Sequence, residues 1–118
     1  MTDTAVSIPQ ANIEALKQLY TFRGYTEVLQ FLEQYPFLVP VLLEAPDKIR
    51  HYFPDCQLFL EVSIDPEIID YVLLVLSILM NLDPDEAVNR LHQLDKDWWL
   101  NNTTHEVRRN LCTLVEYP

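Results

Sequence analysis

Few side chains in this chain of 118 residues could hold a metal, shuttle a proton or act as a nucleophile. The three histidines, His51, His92 and His105, show neither the H-x-x-x-H nor the H-E-x-x-H spacing that sets two imidazoles on one helical face for zinc. The two cysteines, Cys56 and Cys112, form no C-x-x-C pair and have no histidine at ligand spacing, so they read as reduced thiols. A phosphate cradle needs glycines, because only a backbone free of side chains can close on the anion. With Gly24 as the single glycine, the P-loop, the dinucleotide fingerprint and the nucleophile elbow are excluded together. No catalytic residue, metal or cofactor is expected.

The best polar constellation is His92 with Asp95 and Trp99. Positions three and seven apart fall on one flank of a helix, where Asp95 can orient or charge the imidazole. The plainer reading is a solvated helix edge. Acids gather at Asp65, Glu67 and Asp70, and again at Asp83, Asp85 and Glu86, without the Asp-x-Asp-x-Asp-Gly spacing of a calcium loop. Capping and solvation account for most of them. Arg108 and Arg109 make too small a basic patch to argue for nucleic acid.

The elements that would position these residues run from 57 to 100. In Gln57–Asp65, Leu58, Leu60, Val62 and Ile64 alternate with Phe59, Glu61, Ser63 and Asp65, the period-2 pattern of a half-buried strand over 57–64. Tyr71–Met80 is apolar on every side, and periodicity does not separate a buried strand from a buried helix. Asp65-Pro66-Glu67 has a helix start's cap, proline and acid, so a helix over 66–80 competes with a strand. A helix apolar all round needs cover on every side, so a hairpin turning at Asp65–Asp70 is favoured. Asp83, Pro84 and Glu86 then supply the cap, first-position proline and acid of a helix over 84–100. At about 100 degrees per residue, Ala87, Leu91, Leu94 and Trp98 share a stripe, while Val88, His92, Asp95 and Trp99 follow its flank. Trp98 is expected in the core. Trp99 is expected at its border, either packed under a loop or available as an interface anchor.

Earlier in the chain, a first helix is expected over 9–22 with Gly24 at its C-terminal cap, and a second begins at Thr26 and stops near Pro36. A third spans 37–53 with a break or kink at Pro46. Residues 1–7 read as a frayed tail, Asn101–Glu106 as a loop and 111–117 as a last strand. The expected fold is a single α+β domain over 1–118: N-terminal helices, then β-β-α-β with a small antiparallel sheet over 57–64, 71–80 and 111–117. In the second strand Val72, Leu74, Leu76 and Ile78 alternate with equally apolar Leu73, Val75 and Leu79, so both sheet faces need cover. Helices on both faces are the favoured arrangement. The other leaves Leu73, Val75 and Leu79 for a partner.

The chain carries 18 acids against 8 bases, a formal charge of −10. The imbalance is uneven, with four bases to seven acids in residues 1–56 and four to eleven in residues 57–118. Such a surface repels nucleic acid and anionic membrane and attracts basic protein. The N-terminal residues lack a basic stretch followed by an apolar one, and no apolar run exceeds about ten residues, so a soluble cytoplasmic protein is expected.

Phe59-Leu-Glu-Val with Asp65-Pro-Glu, Asp83-Pro-Asp-Glu-Ala-Val, Leu94-Asp-Lys-Asp-Trp-Trp-Leu100 and Leu111-Cys with Glu116 together resemble a group of small bacterial proteins of the cyanobacterial type. Asp95-x-x-Trp-Trp-Leu100 is the most distinctive piece. The resemblance covers about residues 25–117, implies an α+β fold with the hairpin, and brings no assigned activity or catalytic residue.

Three functions follow as expectations. The first is a non-enzymatic acidic module for a protein partner, an antitoxin-like neutraliser of a basic protein being its sharpest form. The second is a ligand-binding domain or small enzyme with a site near His92, Asp95 and Trp99. The third is a structural homo-oligomer, with a homodimer as its simplest case. The surface expected to carry an interaction comprises His92, Asp95, Trp99, Leu73, Val75 and Leu79, with no nucleic acid and no membrane among the partners.

Overall fold

The alternating segment is a strand, β2 (Gln57–Ile64), and the all-apolar run contains a second, β3 (Val72–Leu79). They pair antiparallel along their length, from Gln57 opposite Leu79 to Ile64 opposite Val72. The computed structural model describes residues 8–64 and 71–117, so the expected turn at 65–70 and the expected tail at 1–7 lie outside the described residues.

The sheet has two further strands, β1 (Thr21–Arg23) beside β2 and β4 (Leu111–Glu116) beside β3, in the order β1-β2-β3-β4. Both outer strands run parallel to their neighbours, so the sheet is mixed, where the sequence suggested an antiparallel one. The connections explain this, because a strand reached through intervening helices can return in the direction of the strand it left. Thr21-Phe22-Arg23 is too short to carry a period-2 signal, and the helix expected over 9–22 overlaps its first two residues.

Helix α1 (Gln10–Leu19) consequently stops before β1, and Gly24 opens the next helix where it was expected to close the previous one. Its φ of 86° is left-handed, the region glycine enters without steric cost, and it turns the chain from β1 into α2 (Tyr25–Gln34). Helix α3 (Leu38–Tyr52) runs unbroken through Pro46, so of the expected break or kink no break forms. Proline has no N–H to offer the carbonyl of Leu42 one turn back, and the hydroxyl of buried Tyr20 donates to that carbonyl at 2.7 Å. A side chain from the end of α1 thus replaces the hydrogen bond that Pro46 removes.

Helix α4 (Pro84–Leu94) starts as expected, with the Asp83 carboxylate accepting the Asp85 N–H at 3.1 Å. It does not continue regularly to 100. Asp95–Trp99 widens into a π-helical turn, in which the Leu100 N–H reaches back five residues to the Asp95 carbonyl. Asn101 and Asn102 donate side-chain amides to the carbonyls of Lys96 (2.8 Å) and Trp98 (3.0 Å), and the Thr103 hydroxyl donates to that of Trp99. The polar run read as a loop therefore ties down the π-turn. It also forms α5 (Leu100–Asn102) and the cap of α6 (His105–Asn110), where Thr104 accepts the Val107 N–H at 3.2 Å.

Register sorts the strands into two faces. Leu58, Leu60, Leu74, Leu76, Ile78 and Leu111 lie on one, buried in a single cluster with Leu16, Leu32, Leu42 and Ile49 from α1–α3 and with Leu94, Trp98, Trp99 and Val107. Helix α1 packs on α3 and α3 on α4, so the helices form one layer over that face. Among the described residues, helices on both faces, the favoured arrangement, are not what forms. The other face carries Phe59, Leu73, Val75, Leu79 and Cys112, half-buried, and Leu114, 37% exposed.

Candidate functional site

The residues expected to make a site are scattered. His92 is exposed on α4, Asp95 is half-buried in the π-turn, and no hydrogen bond or ion pair joins them among the described residues. Trp99 is only 7% exposed, close to the 5% of Trp98, which corrects its assignment to the border. The π-turn is the reason. A wider turn advances less per residue than the α-helical wheel assumes, so Trp99 falls back onto the face of Leu94 and both indoles enter the core, with ring centroids 5.8 Å apart. Burial raises the pKa of Asp95, with His92 opposing the shift, and the Asp95 Oδ1 atom is buried without a hydrogen-bond partner. Leu73, Val75 and Leu79 lie on the open face of the sheet, opposite to the face packed against Trp99.

That open face is partly strapped. Arg23 on β1 lays its guanidinium over the Phe59 ring at 4.1 Å and reaches Glu116 on β4, with Nη1 at 2.6 Å and Nη2 at 2.9 Å from the two carboxylate oxygens. The pair links the two edge strands across β2 and β3. Its hydrogen bond holds the Glu116 carboxyl below the usual carboxylate range, and Ser77, the buried polar residue beneath, adds a smaller contribution in the same direction.

A second arrangement was not anticipated. Glu44, Asp47, Lys48, His51 and Tyr52 recur at helical spacing along one side of α3, and with Asp97, Trp98 and Asn102 they line a recess of about 420 Å³. The Trp98 indole N–H donates to Glu44 at 2.9 Å, and the Tyr52 hydroxyl donates to Asp97. The Tyr52 backbone carbonyl accepts from Arg90 at 3.0 Å, tying the end of α3 to α4. The bond to Asp97 raises the Tyr52 pKa, which keeps the phenol protonated and unsuited to act as a base. Three carboxylates and one lysine line the recess beside the Tyr52 and Trp98 rings, a set suited to holding a guanidinium or ammonium group. The α3 half was legible as a polar stripe. Its meeting with Asp97 and Trp98, some fifty residues later, was not.

Among the described residues no three His, Cys, Asp or Glu side chains stand so that they could hold one metal ion, the recess carboxylates included, and no helix there is long and apolar enough to cross a membrane. The chain matches no protein-family model, no curated protein and no solved structure.

Proposed function

We propose that this chain is a non-enzymatic interaction module for a basic protein, with the recess between α3 and the π-turn receiving an arginine or lysine side chain. The observation that carries this reading is the convergence of Glu44, Asp47 and Asp97 beside Tyr52 and Trp98 in one open recess of about 420 Å³. The charge of −10 adds long-range attraction for the same class of partner. An antitoxin-like neutraliser is one form such a module takes. A catalytic centre at His92, Asp95 and Trp99 is less well supported, since one of the three is exposed and another is core.

The test is titration with an arginine-rich peptide, followed by tryptophan fluorescence, for the natural chain and for Asp47→Asn/Asp97→Asn. Saturable binding should weaken at least about tenfold in the variant, the loss of two charge-assisted contacts. Association should slow with salt as the Debye length shrinks from about 30 Å at 0.01 M to about 8 Å at 0.15 M. Equal affinity of the two chains at the higher salt would leave only diffuse attraction and remove the site.

A further inference from the structure

The two edges of the sheet are finished differently. β1 is three residues long and ends on charged Arg23, features that discourage another strand from pairing with it. β4 offers six residues, Leu-Cys-Thr-Leu-Val-Glu, with no proline and no charge before Glu116. No described strand pairs with its outer edge, so a row of backbone donors and acceptors remains open there. Exposed apolar side chains gather along the same edge. Val88 on α4 (49% exposed), Leu114 (37%) and Tyr117 (47%) are three of the six most exposed large apolar residues described, and a shallow groove runs between α4 and β4 past Leu91 and Val115.

We propose that β4 pairs antiparallel with β4 of a second copy, joining two four-stranded sheets into one of eight. Charge at the strand ends favours a copy as the occupant. Two-fold antiparallel pairing sets the start of one β4 beside the end of the other. The start follows Arg109, exposed and without an ion pair among the described residues. The end adjoins the acidic opening of α4, because the Met80 N–H bonds the Glu116 carbonyl and the chain then passes directly to Asp83 and Asp85. Each copy therefore brings a cation to the partner's acids, twice, while Val88 and Tyr117 of both chains are covered at the seam. The net charge of −10 on each copy opposes the pairing, and salt screens that repulsion. Dimerisation consequently strengthens with salt, the reverse of binding to a basic protein, so the two surfaces are separable.

Sedimentation equilibrium of the whole chain at low and high salt tests this, with hydrogen exchange of the β4 amides as a second readout. A monomer–dimer equilibrium tightened by salt is expected, with residues 111–116 exchanging more slowly as the dimer fills. Leu114→Lys and Val88→Lys, both at exposed positions, should each weaken it at least about tenfold. Either lysine lowers the net negative charge, so the loss cannot come from added long-range repulsion between the copies. At the higher salt, where net charge is screened, Leu114→Lys should leave arginine-peptide binding unchanged, and Asp47→Asn/Asp97→Asn should leave the dimer unchanged. Three results overturn the proposal: a monomer at every concentration in both salts, a dimer that survives both lysines, or β4 amides that gain protection only when a basic peptide is bound.

Discussion

The two faces of β3 carry nearly the same residue types and meet different fates. Leu74, Leu76 and Ile78 are fully buried under the helical layer, while Leu73, Val75 and Leu79, their neighbours in the chain, remain half-buried on a face that the Arg23–Glu116 strap crosses. An apolar side chain removed from water on all sides contributes about 1.5–3 kcal/mol, and one left half in water contributes correspondingly less. The covered face therefore supplies stability. The open face contributes less per apolar side chain.

The sharpest way to break this contrast is truncation on either side of the sheet. Trp98→Ala and Trp99→Ala should each cost about 3–5 kcal/mol in urea unfolding, because both leave cavities in the covered core. Leu73→Ala on the open face should cost about 1 kcal/mol. Comparable losses from Leu73→Ala and Trp99→Ala would mean that the open face is a second core and the contrast is false.

A smaller effect is expected where the helical layer is tied together. Tyr20→Phe deletes the hydroxyl that serves the Leu42 carbonyl, left without its helical donor by Pro46, and should cost about 1–3 kcal/mol with little change in packing. A loss close to zero would show that the Leu42 carbonyl finds another partner, and that Pro46 requires no compensation from α1.

The smallest effect concerns the strap. Glu116→Gln should cost about 1 kcal/mol at neutral pH, the range for a well-formed bidentate pair at a partly exposed site. Since Arg23 lowers the Glu116 pKa in the folded chain, the pair's contribution is present above the ordinary value of 4.5 and is lost as pH falls through the depressed folded value. The stability gap between natural chain and variant should close in acid. A gap that stays constant with pH would show that the strap acts through packing on Phe59 and not through charge.

Local signals made several elements legible. The alternation of 57–64, the cap at Asp83-Pro84 and the β-branched end at 111–116 are each decided by neighbours close in the chain, and each appears within a residue or so of its expected place. Partial failures arose where a distant partner overrode the local rule. Pro46 stays inside a helix because Tyr20, twenty-six residues earlier, serves its orphaned carbonyl. Trp99 enters the core because side chains at 101–103 pay for a widened turn. Strand β1 exists because β2 is there to pair with it.

By itself the sequence determined the α+β class, the strand at 57–64, the capped helix start, the acidity and the lack of phosphate-cradle and zinc-spacing motifs, since composition and short-range periodicity fix these through local backbone preference and apolar patterning. Tertiary structure decided the direction of the outer strands, the single helical layer, the burial of Trp99 and the meeting of α3 with Asp97 and Trp98. Each of these depends on which distant surfaces exclude water together, and a pattern read along the chain contains no term for that.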